Sequence, residues 1–298
     1  MKKNSWLICN KNKILSFVIL FIICFIWIWP LLWVVNGSLK SSTEWSIHPS
    51  SFFPTEGYTI DNFISLFFGK EQTNGWDYSA EAQPVLQWVF NSLFVSILHT
   101  VLYLFIGSFA AFAFTFLEFK GRNVLFYLLL ASQVIPGVVL ITPQFSMIVE
   151  MGMALSLWAL ILPGLGSIAG IFLMRQFFMG IPKEIVESAR VDGANIFLIY
   201  LKMICPLAKS VFLVQGLFCF IGSWNDYAWA QVVLGYGPSE GWTLQLGLTH
   251  LVDMNKGQLG ATGVTLAAAV VSMIPVFLVY LFAQNRIVEG VAMSGLKQ

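Results

Sequence analysis

Two groups of acidic residues in this 298-residue chain sit where their surroundings give them meaning. Glu184, Glu187 and Asp192 lie in Ile181-Pro-Lys-Glu-Ile-Val-Glu-Ser-Ala-Arg-Val-Asp-Gly-Ala194. Pro182 suits a first helical position, and Glu184 then falls in the first turn, where the helix dipole favours an anion. Ile181, Ile185 and Ala189 recur every four residues and give one apolar face. Gly193 is a helix stop, and a second short helix is expected from Asn195 until Pro206 interrupts it. From the residues alone this is an amphipathic helix–turn–helix charged on one side, either an interfacial connector or a surface that meets a partner. The second group is Asp226 alone, in Trp224-Asn225-Asp226 beside Trp229, the sole acid within an apolar run. A charge at the bilayer centre costs at least ~2.5 kcal/mol, so this carboxylate must face protein or water. Either Trp224, Asn225, Asp226 and Trp229 line a polar route, or Asp226 makes a structural bond to a neighbouring helix. Gln133, Thr142 and Gln144 around Pro136 and Pro143 offer the same choice between a broken helix lining a cavity and kinked packing.

No residue pattern supports catalysis. A Gly-x-x-x-x-Gly-Lys-Ser/Thr phosphate loop does not occur in the sequence, so ATP is not expected to bind here in the P-loop manner. His48, His99 and His250 have no Glu or Cys at metal-ligand spacing, and no serine has a nucleophile-elbow context. No metal site is expected. Cys9, Cys24, Cys205 and Cys219 lie in or beside apolar runs without paired spacing and read as buried thiols.

The elements that must position these residues follow from composition. Hydrophobic residues make up 57% of the chain, charged residues only 10%, and the mean hydropathy is +0.77. A soluble domain carries about 25% charged residues, so most of this surface must face lipid. Aromatic residues at 15% exclude disorder, and a net charge of +1 leaves no field for nucleic acid. A membrane-crossing helix needs roughly 20 apolar residues. Uncharged runs of that order are Ile14–Val35, Trp88–Leu117, Val124–Val149, Met151–Met174 and Leu259–Asn285, with Ser210–Leu234 carrying only Asp226. The expected fold is therefore all-α, with six spans. Residues 14–35 are too long for a signal-peptide core and lack a small-residue cleavage site, so they read as a retained first span. Of the 16 Lys and Arg, 13 fall in the connections that share a side with the N-terminus, and only Lys40, Lys70 and Lys256 fall opposite. The positive-inside rule then puts both termini in the cytoplasm. Residues 1–13 become a cytoplasmic N-terminus, 36–87 an extracytoplasmic loop, 88–285 the core with a cytoplasmic loop at 176–209, and 286–298 a cytoplasmic tail.

The order Glu187-Ser188-Ala189, Asp192-Gly193-Ala194, Ile204-Cys205-Pro206-Leu207 resembles the "EAA" loop of binding-protein-dependent ABC importers. Ser188 replaces the usual second Ala, and Ser210 stands where a Pro is common. Further matches in order and spacing are Pro30-Leu-Leu-Trp33, Ser38-Leu-Lys40, Phe90-Asn-Ser-Leu93, Phe119-Lys-Gly-Arg-Asn123, Ile135-Pro-Gly137, Trp158-Ala-Leu-Ile-Leu-Pro163 and Trp224-Asn-Asp226. Together they are similar, over nearly the whole chain, to permease subunits of maltose-type carbohydrate importers. Gly69–Gln83 looks like an insertion that most such permeases lack.

The resemblance implies a coupling helix that docks on a cytoplasmic ATPase dimer through Glu184, Glu187, Ser188, Ala189, Asp192, Gly193 and Ala194. Glu187 would meet a basic group on that ATPase, and Gly193 would make the turn. It also implies a tail inserted toward the ATPase, with Glu289, Gly290 and Gly295. Other implied partners are a second permease and an extracytoplasmic sugar-binding protein. ATP and magnesium would sit on the ATPase and no cofactor on this chain, in a bacterial cytoplasmic (inner) membrane. The competing expectation is an ion-coupled secondary carrier using Asp226, which would need several intramembrane ionisable groups and an internal inverted repeat. One acid and no repeat are present.

Overall fold

The computed structural model describes the backbone of residues 2–69 and 83–295 and the side chains of residues 13–69 and 83–284. Residues 70–82, nearly all of the expected insertion, lie outside the described residues, as do the side chains of the expected C-terminal tail. All regular structure among the described residues is helical. In chain order the helices are α1 (Lys2–Ser38), α2 (Ser42–Ile47), α3 (Asp61–Phe68), α4 (Val85–Phe116), α5 (Arg122–Ser132), α6 (Gly137–Glu150), α7 (Trp158–Ile161) and α8 (Ile168–Phe178). There follow α9 (Lys183–Val191), α10 (Ile196–Ile199), a π turn at Tyr200–Ile204, α11 (Cys205–Leu207), α12 (Lys209–Trp224), α13 (Ala228–Leu234), α14 (Leu244–Met254) and α15 (Thr262–Gly295).

Three of the expected spans are single long apolar helices, within α1, α4 and around the start of α15. The others are broken. α5 and α6 meet at 101°, and the α10–α11 segment meets α12 at 83°. The stretch expected as a span at Met151–Met174 holds α7 and part of α8, separated by Pro163, Gly164 and Gly166, with Leu155 at φ 61° before them. Ser210–Leu234 is interrupted between Trp224 and Ala228. The count of six is thus approximate, because a run of uncharged residues records hydropathy and not the Pro and Gly that divide it. Both terminal segments extend their spans as helix: α1 starts at Lys2, and α15 passes 285 unbroken to Gly295.

The chain forms two compact units, residues 1–83 with 248–273 and residues 84–247 with 274–298. The first is closed by a polar knot after α1. Asn62 donates from Nδ2 to the carbonyls of Ser38 and Lys40 at 2.8 and 2.7 Å. A Cβ on Gly263 would lie 2.6 Å from that amide, so only glycine fits there. Lys40 is 1% exposed, and its ammonium donates to the carbonyls of His48 and Ser51 and to Ser51 Oγ, each at 3.0 Å, with the Trp45 ring 4.4 Å away. Burial pushes the Lys40 pKa below the ordinary lysine range, and the Glu44 carboxylate pulls it partly back. Glu44 Oε1 in turn accepts the Thr55 N–H at 2.6 Å.

In the second unit α4 packs along α8 and α12. Small residues let the backbones approach, as membrane helix pairs require. A Cβ on Gly170 of α8 would fall on Tyr103 Oη of α4, whereas one on Gly107 of α4 would meet Met174 at 3.7 Å and Ile171 at 3.9 Å, both ordinary contacts. The Tyr103 hydroxyl donates to Gln215 Oε1 of α12 at 2.9 Å, tying the three helices together. At one end of α4, Trp88 Nε1 donates to Ser239 O at 2.7 Å, and Asn91 Nδ2 to Glu240 O and Trp242 O.

Candidate functional site

α9 forms as its sequence prescribes. Pro182 occupies the cap position, one residue earlier than expected, and Glu184 lies in the first turn. The helix stops in a six-residue closure. Gly193 has φ 81°, its N–H donates to Arg190 O, and the Ala194 N–H donates to Ala189 O, both at 3.0 Å. That is the Schellman arrangement, which needs a left-handed residue at the position of Gly193. Asn195 then caps α10, its side-chain oxygen accepting the Leu198 N–H at 2.7 Å. A tight two-helix elbow results.

The elbow has two faces. Ile181, Val186 and Ala189 are buried in the core of the unit, with Ile185 half-buried against it. Glu184, Glu187, Ser188, Asp192 and Gly193 are exposed, Ala194 is half-buried, and Val191 at the tip is 89% exposed. Ser188 Oγ donates to Glu184 O at 2.7 Å, so the serine hydroxyl is satisfied within its own helix. Among the described residues the Glu187 carboxylate makes no hydrogen bond or ion pair. The expected docking residues therefore share one presented surface, except Ala189, which is the packing residue beneath it.

The residues around Asp226 play mixed parts. Trp224 is 1% exposed and stacked on Phe220, with ring centroids 6.1 Å apart, so it belongs to the core and lines no open surface of this chain. Asp226 Oδ1 accepts the Trp229 N–H at 3.2 Å and thereby starts α13 after the break. Trp229 Nε1 donates to Ala159 O at 2.8 Å. Asn225 is exposed, its Oδ1 accepting from Gln245 Nε2 at 3.3 Å. Gln133 shares no hydrogen bond with this group and lies in the exposed elbow between α5 and α6. There Val134 and Val138 are 82% and 78% exposed, and the N–H groups of Gly137 and Val138 have no partner among the described residues. Glu289, Gly290 and Gly295 lie on the helical backbone of α15. No three His, Cys, Asp or Glu among the described residues come together as a metal site.

Sequence reasoning did not find the arginines at the end of α4. Arg122 Nη1 donates to Leu117 O at 2.9 Å, Arg190 Nη2 to Phe116 O at 3.3 Å, and Arg175 Nε to Phe114 O at 3.4 Å. The Phe119-Lys-Gly-Arg-Asn123 motif pointed to Arg122 without showing what it holds.

Residues 103–292 match the family described as binding-protein-dependent transport system inner membrane component. The arabinooligosaccharides transport system permease protein of Halalkalibacterium halodurans is 30% identical over 92% of this chain and 93% of its own length. The galactooligosaccharides transport system permease protein of Bacillus subtilis is 30% identical over 95% and 94%. A crystal structure of a bacterial ABC transporter involved in the import of the acidic polysaccharide alginate contains a chain of the same fold. It superposes with a TM-score of 0.77 at 23% identity, covering 93% of this chain and 96% of that one. A family match across most of the chain, a broken-helix membrane core and an elbow that presents its acids outward agree: the chain is a multi-pass membrane protein of the binding-protein-dependent transport system inner membrane component family.

Proposed function

We propose that this chain is one of two permease subunits of an ABC importer for a carbohydrate, an oligosaccharide in particular. It would pair with a second permease, receive sugar from an extracytoplasmic binding protein, and be driven by a cytoplasmic ATPase dimer that holds ATP and magnesium. Both termini are cytoplasmic in this reading, in the inner membrane of a bacterium. The observation that carries it is the α9–α10 elbow, a rigid apolar-backed turn presenting Glu184, Glu187, Asp192 and Val191 outward with Glu187 unpaired. A surface of that kind suits a cleft with a basic group and an apolar floor. The oligosaccharide assignment draws on the names of the relatives at 30% identity.

The bent α5–α6 pair supports a partner permease. Irregular backbone at membrane depth is tolerated only against protein or water, since each unsatisfied group in hydrocarbon costs several kcal/mol. The exposed elbow at Gln133–Val138 is therefore the part of this chain that a second permease covers or that faces an aqueous sugar path, with Gln133 and Asn225 as candidate contacts. ATP-driven closure of the ATPase dimer would push on α9 and turn the cavity outward, and hydrolysis would return it.

Co-purification of tagged wild-type chain and Glu187→Arg tests the reading. Wild type is expected to bring an ATPase and a second permease, while Glu187→Arg loses the ATPase and keeps the permease. A wild-type chain that purifies alone under gentle extraction, yet moves solute down an ion gradient, overturns it in favour of a secondary carrier.

A further inference from the structure

The last four carbonyls of a helix have no partner within it, and a cation near them also meets the negative end of the dipole. At the end of α4, arginines from three separate segments fill these places: Arg122 opening α5, Arg175 in the last turn of α8, and Arg190 in the last turn of α9. Arg190 is the one carried by the docking elbow. Eight residues back along α4, Ser108 Oγ and Tyr200 Oη lie 2.6 Å apart. Tyr200 opens the π turn on the other arm of the elbow and is 2% exposed, packed edge-on against Phe109 at 5.2 Å and tilted against Phe112 at 5.6 Å. The two arms, on either side of Gly193, thus hold one helix at two levels roughly 12 Å apart, at 1.5 Å of rise per residue.

One attachment would act as a pivot, about which a docked elbow could swing without moving α4. Two attachments at different heights fix both position and tilt, so displacement of the elbow must displace α4. We propose that Arg190 and Tyr200 are positioning residues that transmit the movement of the docked elbow into α4, acting through the Phe116 carbonyl and the Ser108 hydroxyl. The proposal rests on the reading of the elbow as an ATPase-docking loop. It assigns transmission to residues that lie outside the exposed acidic face.

The test uses the assembled complex in lipid vesicles, with the four native cysteines replaced by alanine and Leu86→Cys as a reporter near the far end of α4. Three quantities are read: retention of the ATPase, ATP hydrolysis, and the change in thiol-labelling rate at position 86 on trapping with ATP, magnesium and vanadate. With the native elbow, trapping is expected to change labelling at least fivefold. Arg190→Ala with Tyr200→Phe should keep the ATPase bound and hydrolysing within twofold of the native elbow, while the labelling change falls below 1.5-fold. Each single variant leaves one attachment, a pivot, and should lose most of the labelling change as well, while Arg190→Lys, whose ammonium can reach the same carbonyl, should recover most of the response. A labelling change that persists in the double variant overturns the proposal. So does loss of the ATPase from Arg190→Ala alone, which would make Arg190 a docking residue, and so does a trapped native complex with no labelling change. Failure of the underlying functional reading gives a different result, in which the native elbow retains no ATPase.

Discussion

Replacing Gly170 by alanine tests the packing of α4 against α8. The new methyl would fall on Tyr103 Oη and lie 2.6 Å from Cζ, inside the range real Cβ atoms tolerate. The ring cannot simply swing aside, because Tyr103 is buried and its hydroxyl bonds Gln215 Oε1. Overpacking of this kind costs about 1–3 kcal/mol. Breaking the interhelical hydrogen bond adds about 0.6 kcal/mol in a membrane, and the better helix propensity of alanine returns about 1 kcal/mol. With so severe an overlap the net loss should be about 2 kcal/mol. Gly107→Ala on the facing helix is the control. Its methyl meets Met174 at ordinary contact distance, so only the propensity gain of up to about 1 kcal/mol remains. Unfolding of the purified assembly in SDS–detergent mixtures reads both values. Tyr103→Phe in the Gly170→Ala background removes the nearest atom and should recover about half the loss, a coupling that a double-mutant cycle isolates. The reasoning fails if Gly170→Ala is as stable as wild type, if Gly107→Ala loses as much, or if the two substitutions add without coupling.

Gly193→Val places a β-branched residue at φ 81° in open space, so it should cost about 1–2 kcal/mol of backbone strain and nothing in contacts. Faster hydrogen exchange confined to residues 183–199 would confirm this. Asn195→Ala removes the cap of α10 and should cost about 1 kcal/mol, seen in the same segment, with Asn195→Asp restoring protection. Lys40→Met leaves the His48 and Ser51 carbonyls unpaired, and about 1–3 kcal/mol of local stability should be lost. Limited proteolysis between residues 40 and 62 should accelerate, while the α9 elbow keeps its wild-type exchange.

Much of the elbow could be read from sequence because its rules are local. Pro182, Gly193 and Asn195 each act within a few residues, and the four-residue spacing of Ile181, Ile185 and Ala189 fixes which side is buried. Membrane breaks were less legible. Pro163 with Gly164, and Pro136 with Gly137, are visible in the chain, yet whether a proline kinks a span or ends it depends on what fills the gap. Long-range partners were not legible at all. Lys40 sits in a motif at the end of α1, but its three carbonyl and hydroxyl acceptors belong to backbone that folds over it. The same holds for Trp224, whose polar and aromatic neighbours in sequence point to a path while its ring stacks into the core.

The α5–α6 elbow also bears on how the cell keeps its subunits in proportion. In the proposed importer, a newly inserted copy would carry the N–H groups of Gly137 and Val138, unpaired among the described residues, and the amide of Gln133 into the bilayer before a second permease arrives. That orphan form would be the costlier one where the bend meets lipid and not water, and covering by the second permease would relieve it. Synthesis of this chain in excess of its partner should therefore yield a short-lived surplus, cleared by membrane proteases that recognise the exposed bend, and stoichiometry would be set by survival and not by expression alone.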